Sequence, residues 1–165
     1  FGGTSDVTRV ALVSPYLLIC DLNNHCNRDV IICPSNVDEC RIICMFECKE
    51  LKIYSGSRNT TIECYNSACE STVFSCGKYL PDINPSSVTM DDMLGTVDSC
   101  RLDCIQSASC SDINFQCIGD IEFCEVESKT DNGFEHSNMT CQINGNDSDF
   151  SCGMKCPVRG NYCRG

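Results

Sequence analysis

Apolar positions in this chain recur in steps of two. In "DINFQC", Ile113, Phe115 and Cys117 alternate with Asn114 and Gln116, the period of a half-buried strand. "CRIIC" puts Cys40, Ile42 and Cys44 on one face, with Arg41 and Ile43 on the other. "TIEC" and "DIEFC" follow the same rule, while "DVIIC" is apolar on both faces. Asn, Asp, Ser and Gly fill the intervals, as turns require. "DVTRVALV" reads as a strand, with Val10 and Leu12 opposed to Ala11 and Val13. No sustained helical stripe is present. The best helical candidate is "MDDMLGTVDSCRLDC", with Met90, Met93, Leu94 and Val97 at three- and four-residue steps and Gly95 weakening it.

Cysteine turns this pattern into an architecture. The 165 residues include 18 cysteines: Cys20, Cys26, Cys33, Cys40, Cys44, Cys48, Cys64, Cys69, Cys76, Cys100, Cys104, Cys110, Cys117, Cys124, Cys141, Cys152, Cys156 and Cys163. That density marks a disulfide scaffold, which persists only in an oxidising compartment. A shift of 84 positions superimposes Cys20, Cys26, Cys33 and Cys40 on Cys104, Cys110, Cys117 and Cys124. The blocks 61–77 and 138–153 both end in Phe-Ser-Cys-Gly. These matches point to an internal duplication. Residues 1–19 form an N-terminal strand segment, 20–76 a first cysteine-rich repeat, 77–99 a linker or loop, and 100–165 a second repeat. The expected fold is mainly β with little helix, a disulfide-rich short-strand fold built from two related repeats, as a β-solenoid or two small β domains. Pairing is open, because 18 cysteines allow on the order of tens of millions of complete connectivities. Each half holds an odd number of cysteines. Either a bond crosses between the halves, or each half leaves a thiol free or joined to another chain.

The segments "VIICPSNVDECRIIC" and "TIECYNSACESTVFSC" resemble the cysteine-rich extracellular repeats of some protist surface proteins, which repeat short C-x-I-x-C and x-I-x-C-P units. The resemblance covers residues 26–76 and, more faintly, 104–152. It implies a coiled β-solenoid.

Three sequons, at Asn59, Asn138 and Asn146, add N-linked glycans to the expected partners. Together with the cysteines they point to a secreted, extracellular or cell-surface glycoprotein. The net charge of −11 repels phosphate backbones, so nucleic acid is not an expected partner. The longest apolar run, "VALVSPYLLI", is too short for a membrane span and is interrupted by Pro15.

Signals for chemistry are few. Cys40, Cys44 and Cys48 stand at a C-x₃-C-x₃-C spacing that zinc permits, but thiolate metal sites belong to reducing compartments. "NGNDSD" (144–149) gathers oxygen ligands without meeting the EF-hand pattern. C-x-x-C and G-x-S-x-G are both absent, and His25 and His136 sit in polar, loop-like stretches. No catalytic residue, metal or cofactor is expected. The expected function is structural, as a self-assembling subunit of an extracellular filament, coat or matrix. An assembly strand carrying Val7, Val10, Leu12 and Val13 would dock on a neighbour's open sheet edge; an ordinary first strand of the same fold is the other reading. A different class, a monomeric binding module such as a receptor ectodomain, adhesin or inhibitor, would use the 77–99 loop for recognition.

Overall fold

In the computed structural model, residues 7–66, 68–77, 97–106, 109–119, 121–130, 136–142 and 151–155 are described. They contain twelve strands and no helix. In chain order the strands are β1 (Thr8–Val10), β2 (Tyr16–Cys20), β3 (Val30–Cys33), β4 (Glu39–Cys44), β5 (Lys52–Ser55) and β6 (Asn59–Cys64). They continue as β7 (Val73–Gly77), β8 (Val97–Cys104), β9 (Asn114–Ile118), β10 (Ile121–Ser128), β11 (Asn138–Gln142) and β12 (Ser151–Lys155).

Odd-numbered strands stack into one six-stranded sheet and even-numbered strands into another. Every pairing is parallel. Each pair of successive strands is therefore one rung of a β-solenoid, and the chain winds through six rungs. Of the two architectures that the sequence allows, this is the solenoid. Both sheets run without a break through all the rungs, and the 84-position offset is a displacement of three of them.

The two-residue period decides what lies inside. On the odd sheet Ile31, Ile53, Phe74, Phe115 and Met139 are ladder neighbours and form one interior column. On the even sheet Leu18, Ile42, Ile62, Leu102 and Val126 form the facing column. Adjacent strands lie about 4.8 Å apart. The rings of Phe74 and Phe115 sit at that spacing, with centroids 4.8 Å apart and planes inclined by 65°. "DVIIC" is apolar on both faces because Ile32 and Tyr54, with Val10 and Val30, make a second small cluster on the other face of the odd sheet.

The corners repeat as strictly as the strands. The residue two before each of β3, β5, β7, β9 and β11 is left-handed: Arg28 (φ 61°), Glu50 (φ 57°), Ser71 (φ 57°), Asp112 (φ 54°) and His136 (φ 54°). Such a conformation costs roughly 1 kcal/mol for a residue with a side chain. Rung-to-rung hydrogen bonds hold it, from the Arg28, Glu50 and Ser71 amides to the carbonyls of Lys49, Glu70 and Ser111.

Two sequence expectations are corrected. The helical candidate ends in a strand: Val97–Cys104 is β8, while 90–96 lies outside the described residues. Ladders to β6 on one side and β10 on the other give β8 two sets of backbone partners, which outweigh its helical spacing. The first strand is also shorter than its pattern suggests. It ends at Val10, and Leu12 and Val13 both face solvent where the chain turns toward the second sheet. The interval 77–99 lies mostly outside the described residues, with Gly77 closing β7 and Val97–Ser99 opening β8.

Candidate functional site: two cystine columns and an apolar first rung

Each of β2, β4, β6, β8 and β10 presents three inward positions. The middle one carries the aliphatic column, and the outer two are cysteine stations. At the strand start, Cys40, Cys100, Cys124 and Cys152 are stacked in register with Tyr16 and Thr60. At the strand end, Cys20, Cys44, Cys64 and Cys104 are stacked, followed by Ser128.

Seven disulfides bond these stations to the odd strands and corners. Across the corner leading from odd to even strands run Cys33–Cys40, Cys76–Cys100, Cys117–Cys124 and Cys141–Cys152. Across the other corner run Cys20–Cys26, Cys64–Cys69 and Cys104–Cys110. Cys76–Cys100 is a bond that crosses between the two cysteine-rich halves. Cys156 and Cys163 lie outside the described residues. Two of the C-x₃-C spacings are thereby explained: Cys40 and Cys44, like Cys100 and Cys104, lie on one strand and face different columns. Cys44 and Cys48 carry free thiols, both buried.

Two rungs fill this cystine station differently. Ser55 and Thr60 occupy the positions that Cys33–Cys40 and Cys76–Cys100 hold in the rungs on either side. Their hydroxyls are 2.5 Å apart and fully buried. The same hydroxyl of Ser55 accepts the Ser57 amide, and the Ser57 hydroxyl donates to the Val37 carbonyl. A hydrogen-bonded knot replaces the covalent bond there. In the first rung the station is held by Tyr16, which is half-buried, and burial raises its phenol above the usual range.

Outward faces are laced by ion pairs one rung apart, including Arg28–Glu50 (2.7 Å), Arg41–Glu63 (2.9 Å), Lys49–Glu70 (2.8 Å) and Arg101–Glu127 (2.6 Å). Stacking in register sets Glu63, Asp103 and Glu127 directly over one another. Arg101 relieves this by bonding both Asp103 and Glu127. The hydrogen bond to Asp103 raises the Arg101 guanidinium above its usual range, and Glu70 does the same for Lys49. His25 places Nδ1 2.6 Å from Glu47, and His136 is exposed.

Neither a family model, nor a curated protein, nor a solved structure matches this chain.

The first rung differs from the others. Large exposed apolar side chains gather there: Leu12 at 83% exposure, Val13 at 64%, Leu22 at 62%, Leu17 at 55%, with Val7 and Ile19. Met45 and Phe46 of the corner after β4, whose amides donate to the Cys20 carbonyl at the end of β2, are exposed as well. Among the described residues β1 and β2 are also the ends of their sheets, so each has one edge without a strand beside it. Of the proposed assembly residues, Val10 is half-buried in β1 and pairs with Ile32 of the same chain; Val7, Leu12 and Val13 are exposed. Thr8–Val10 thus pairs with β3 of its own chain. Arg9 anchors it through Asp29, fully buried, at 2.8 Å.

Two sequons are in view. Asn59 opens β6 and Asn138 opens β11, and both are exposed. Asn146 lies outside the described residues. The cystine stacking and the Ser–Thr substitution were invisible to strand periodicity. The signal that could have found them is the motif C-x-I-x-C read as T-x-I-x-C at Thr60–Cys64. Among the described residues no helix is long and apolar enough to cross a membrane. The disulfide content is compatible with a secreted, extracellular protein.

Proposed function

We propose that this chain is a secreted, N-glycosylated structural protein that stacks end to end as a subunit of an extracellular filament, coat or matrix, without enzymatic activity. The observation that carries this reading is the first rung. Monomeric solenoids blunt their ends with polar caps, yet here exposed Leu12, Val13, Leu17 and Leu22 flank two edges that have no strand beside them among the described residues. At the other end β11 and β12 also have no strand beyond them among the described residues. Docking of β1 and β2 of one copy on β11 and β12 of the next would continue both ladders. Such a head-to-tail contact does not close on itself, so it grows.

Burying those four side chains contributes on the order of 5 kcal/mol gross. Bringing two copies together costs at least about that much. Apolar contact alone therefore leaves the contact weak, and the main-chain ladders must supply the surplus. Exposed Asn59 opens β6, two rungs from the first, so a glycan there leaves the first rung clear, whereas one on Asn138 would flank the β11 edge. The resemblance to protist surface repeats accords with this role at a cell surface.

Electron microscopy of native, unreduced material tests it. Filaments or lattices that disappear in a Leu12→Glu/Leu17→Glu variant support end-to-end stacking. Dispersed monomers at all concentrations overturn it and favour the second reading, a monomeric binding module that uses the same apolar rung to recognise a partner.

A further inference from the structure

We propose that Cys44 and Cys48 form an eighth disulfide, completing the cystine column at the corner that leads from even to odd strands.

Register places both residues at bonded stations. Cys44 ends β4 and is the ladder partner of Cys20 on one side and Cys64 on the other; each of those is disulfide-bonded into the following corner. Their partners Cys26 and Cys69 sit four positions before β3 and β7, and Cys48 sits four positions before β5. The backbone marks the station a second time. The amides of Cys26, Cys48 and Cys69 donate to the carbonyls of Glu47, Ala68 and Ser109, each one rung further on. Only the span differs. Cys44 and Cys48 are closer in sequence than Cys64 and Cys69, whose separation is 5, or Cys20 and Cys26, whose separation is 6. Glu47, left-handed at φ 56°, turns the chain back sooner and delivers Cys48 to its place.

Both thiols are fully buried, and the Cys48 thiol donates to the Phe46 carbonyl at 3.8 Å. The neighbouring Cys44 thiol first, and burial second, push the Cys48 thiol far above its ordinary range. A folded dithiol of this kind is a poor nucleophile, so the bond closes while the corner is still open. One thiolate attacks an external disulfide, oxidised glutathione or the active-site disulfide of an oxidoreductase, and expels one thiol. The second thiolate then attacks the mixed disulfide and expels the other. Two cysteine thiols and one external disulfide become one internal disulfide and two external thiols.

A competing arrangement lies close by. The Cys48 sulfur is within 4.8 Å of both sulfurs of Cys20–Cys26, so an unpaired Cys48 could exchange with that bond in an unfolded or partly folded chain. Those three sulfurs also have the spacing of a metal site, but only if the Cys20–Cys26 bond were reduced.

A tryptic map separates the outcomes without any variant. The natively isolated chain is denatured in acid, blocked with N-ethylmaleimide and cleaved without reduction. Trypsin releases 42–49 with Cys44 and Cys48 alone, and 10–28 with Cys20 and Cys26 alone. The expected result is peptide 42–49 two hydrogens lighter than its dithiol form and carrying no maleimide. Cyanogen bromide, cutting at Met45, then leaves its two halves joined until reduction. Two maleimides on 42–49 overturn the proposal, whether the thiols were free or held a metal. So does a covalent link between 42–49 and 10–28.

Discussion

Replacing Ser55 and Thr60 together by cysteine should install a disulfide in the one rung whose cystine station is bridged by hydroxyls. The two positions are in register with Cys33–Cys40 and with Cys76–Cys100. Closing a six-residue loop removes unfolded-chain entropy worth about 2 kcal/mol. Against it stands the loss of the buried hydroxyl pair, about 1 kcal/mol. Sulfur is also a weaker acceptor for the Ser57 amide. The net gain is about 1 kcal/mol or slightly less, which for a chain of this size raises Tm by roughly 2–4 °C. The single variants should move the other way. Ser55→Cys leaves the Thr60 hydroxyl buried without a strong partner, at roughly 1–3 kcal/mol, and Thr60→Cys does the same to Ser55. The opposite signs make a double-mutant cycle decisive. Unfolding of the four oxidised proteins in guanidinium measures it, and an unreduced tryptic map shows peptide 53–58 joined to the peptide beginning at Asn59. Two free thiols at 55 and 60 after oxidative folding would refute the alignment of this rung. A double variant less stable than either single would refute the energetic reasoning.

Two further substitutions probe the winding. Gly77→Ala should block the native fold or destabilise it severely, because Gly77 is at φ +107° and its added Cβ would collide with the Ile118 carbonyl of the next rung; secretion yield and thermal unfolding check this, and a wild-type Tm contradicts the register of β7 against β9. Phe115→Ala should cost roughly 3–5 kcal/mol by opening a cavity beside Phe74, read as a lower guanidinium midpoint with an unchanged slope; a loss under about 1 kcal/mol would mean that the interior column is not packed there.

Much of the fold was legible because a strand is a local object with a two-residue period. "CRIIC" and "DINFQC" declared their inner faces correctly, since each inward residue needs only its own strand to define a side. Where competition came from outside the segment, local reading failed. Met90 to Val97 has helical spacing, yet Val97 opens β8, whose backbone is satisfied by neighbours on both edges. Leu12 and Val13 continue an alternating pattern past the point where the chain turns a corner.

Cysteine shows the same division. Composition alone implied a stapled scaffold, and the odd count in each half already allowed for a bond between halves such as Cys76–Cys100. The pairing itself was not readable. A strand with two inward cysteines, such as β8 with Cys100 and Cys104, sends them to opposite corners, and only coiling brings each to its partner. The equivalence of Ser55 and Thr60 to a cystine was hidden for the same reason, because it is defined by residues above and below that stand about 20 to 40 positions away in the chain. Local periodicity therefore determined the strands and their faces. Stacking, a relation between distant segments held by parallel ladders, decided which cysteines meet, which stations carry no cystine, and which end exposes its apolar side chains.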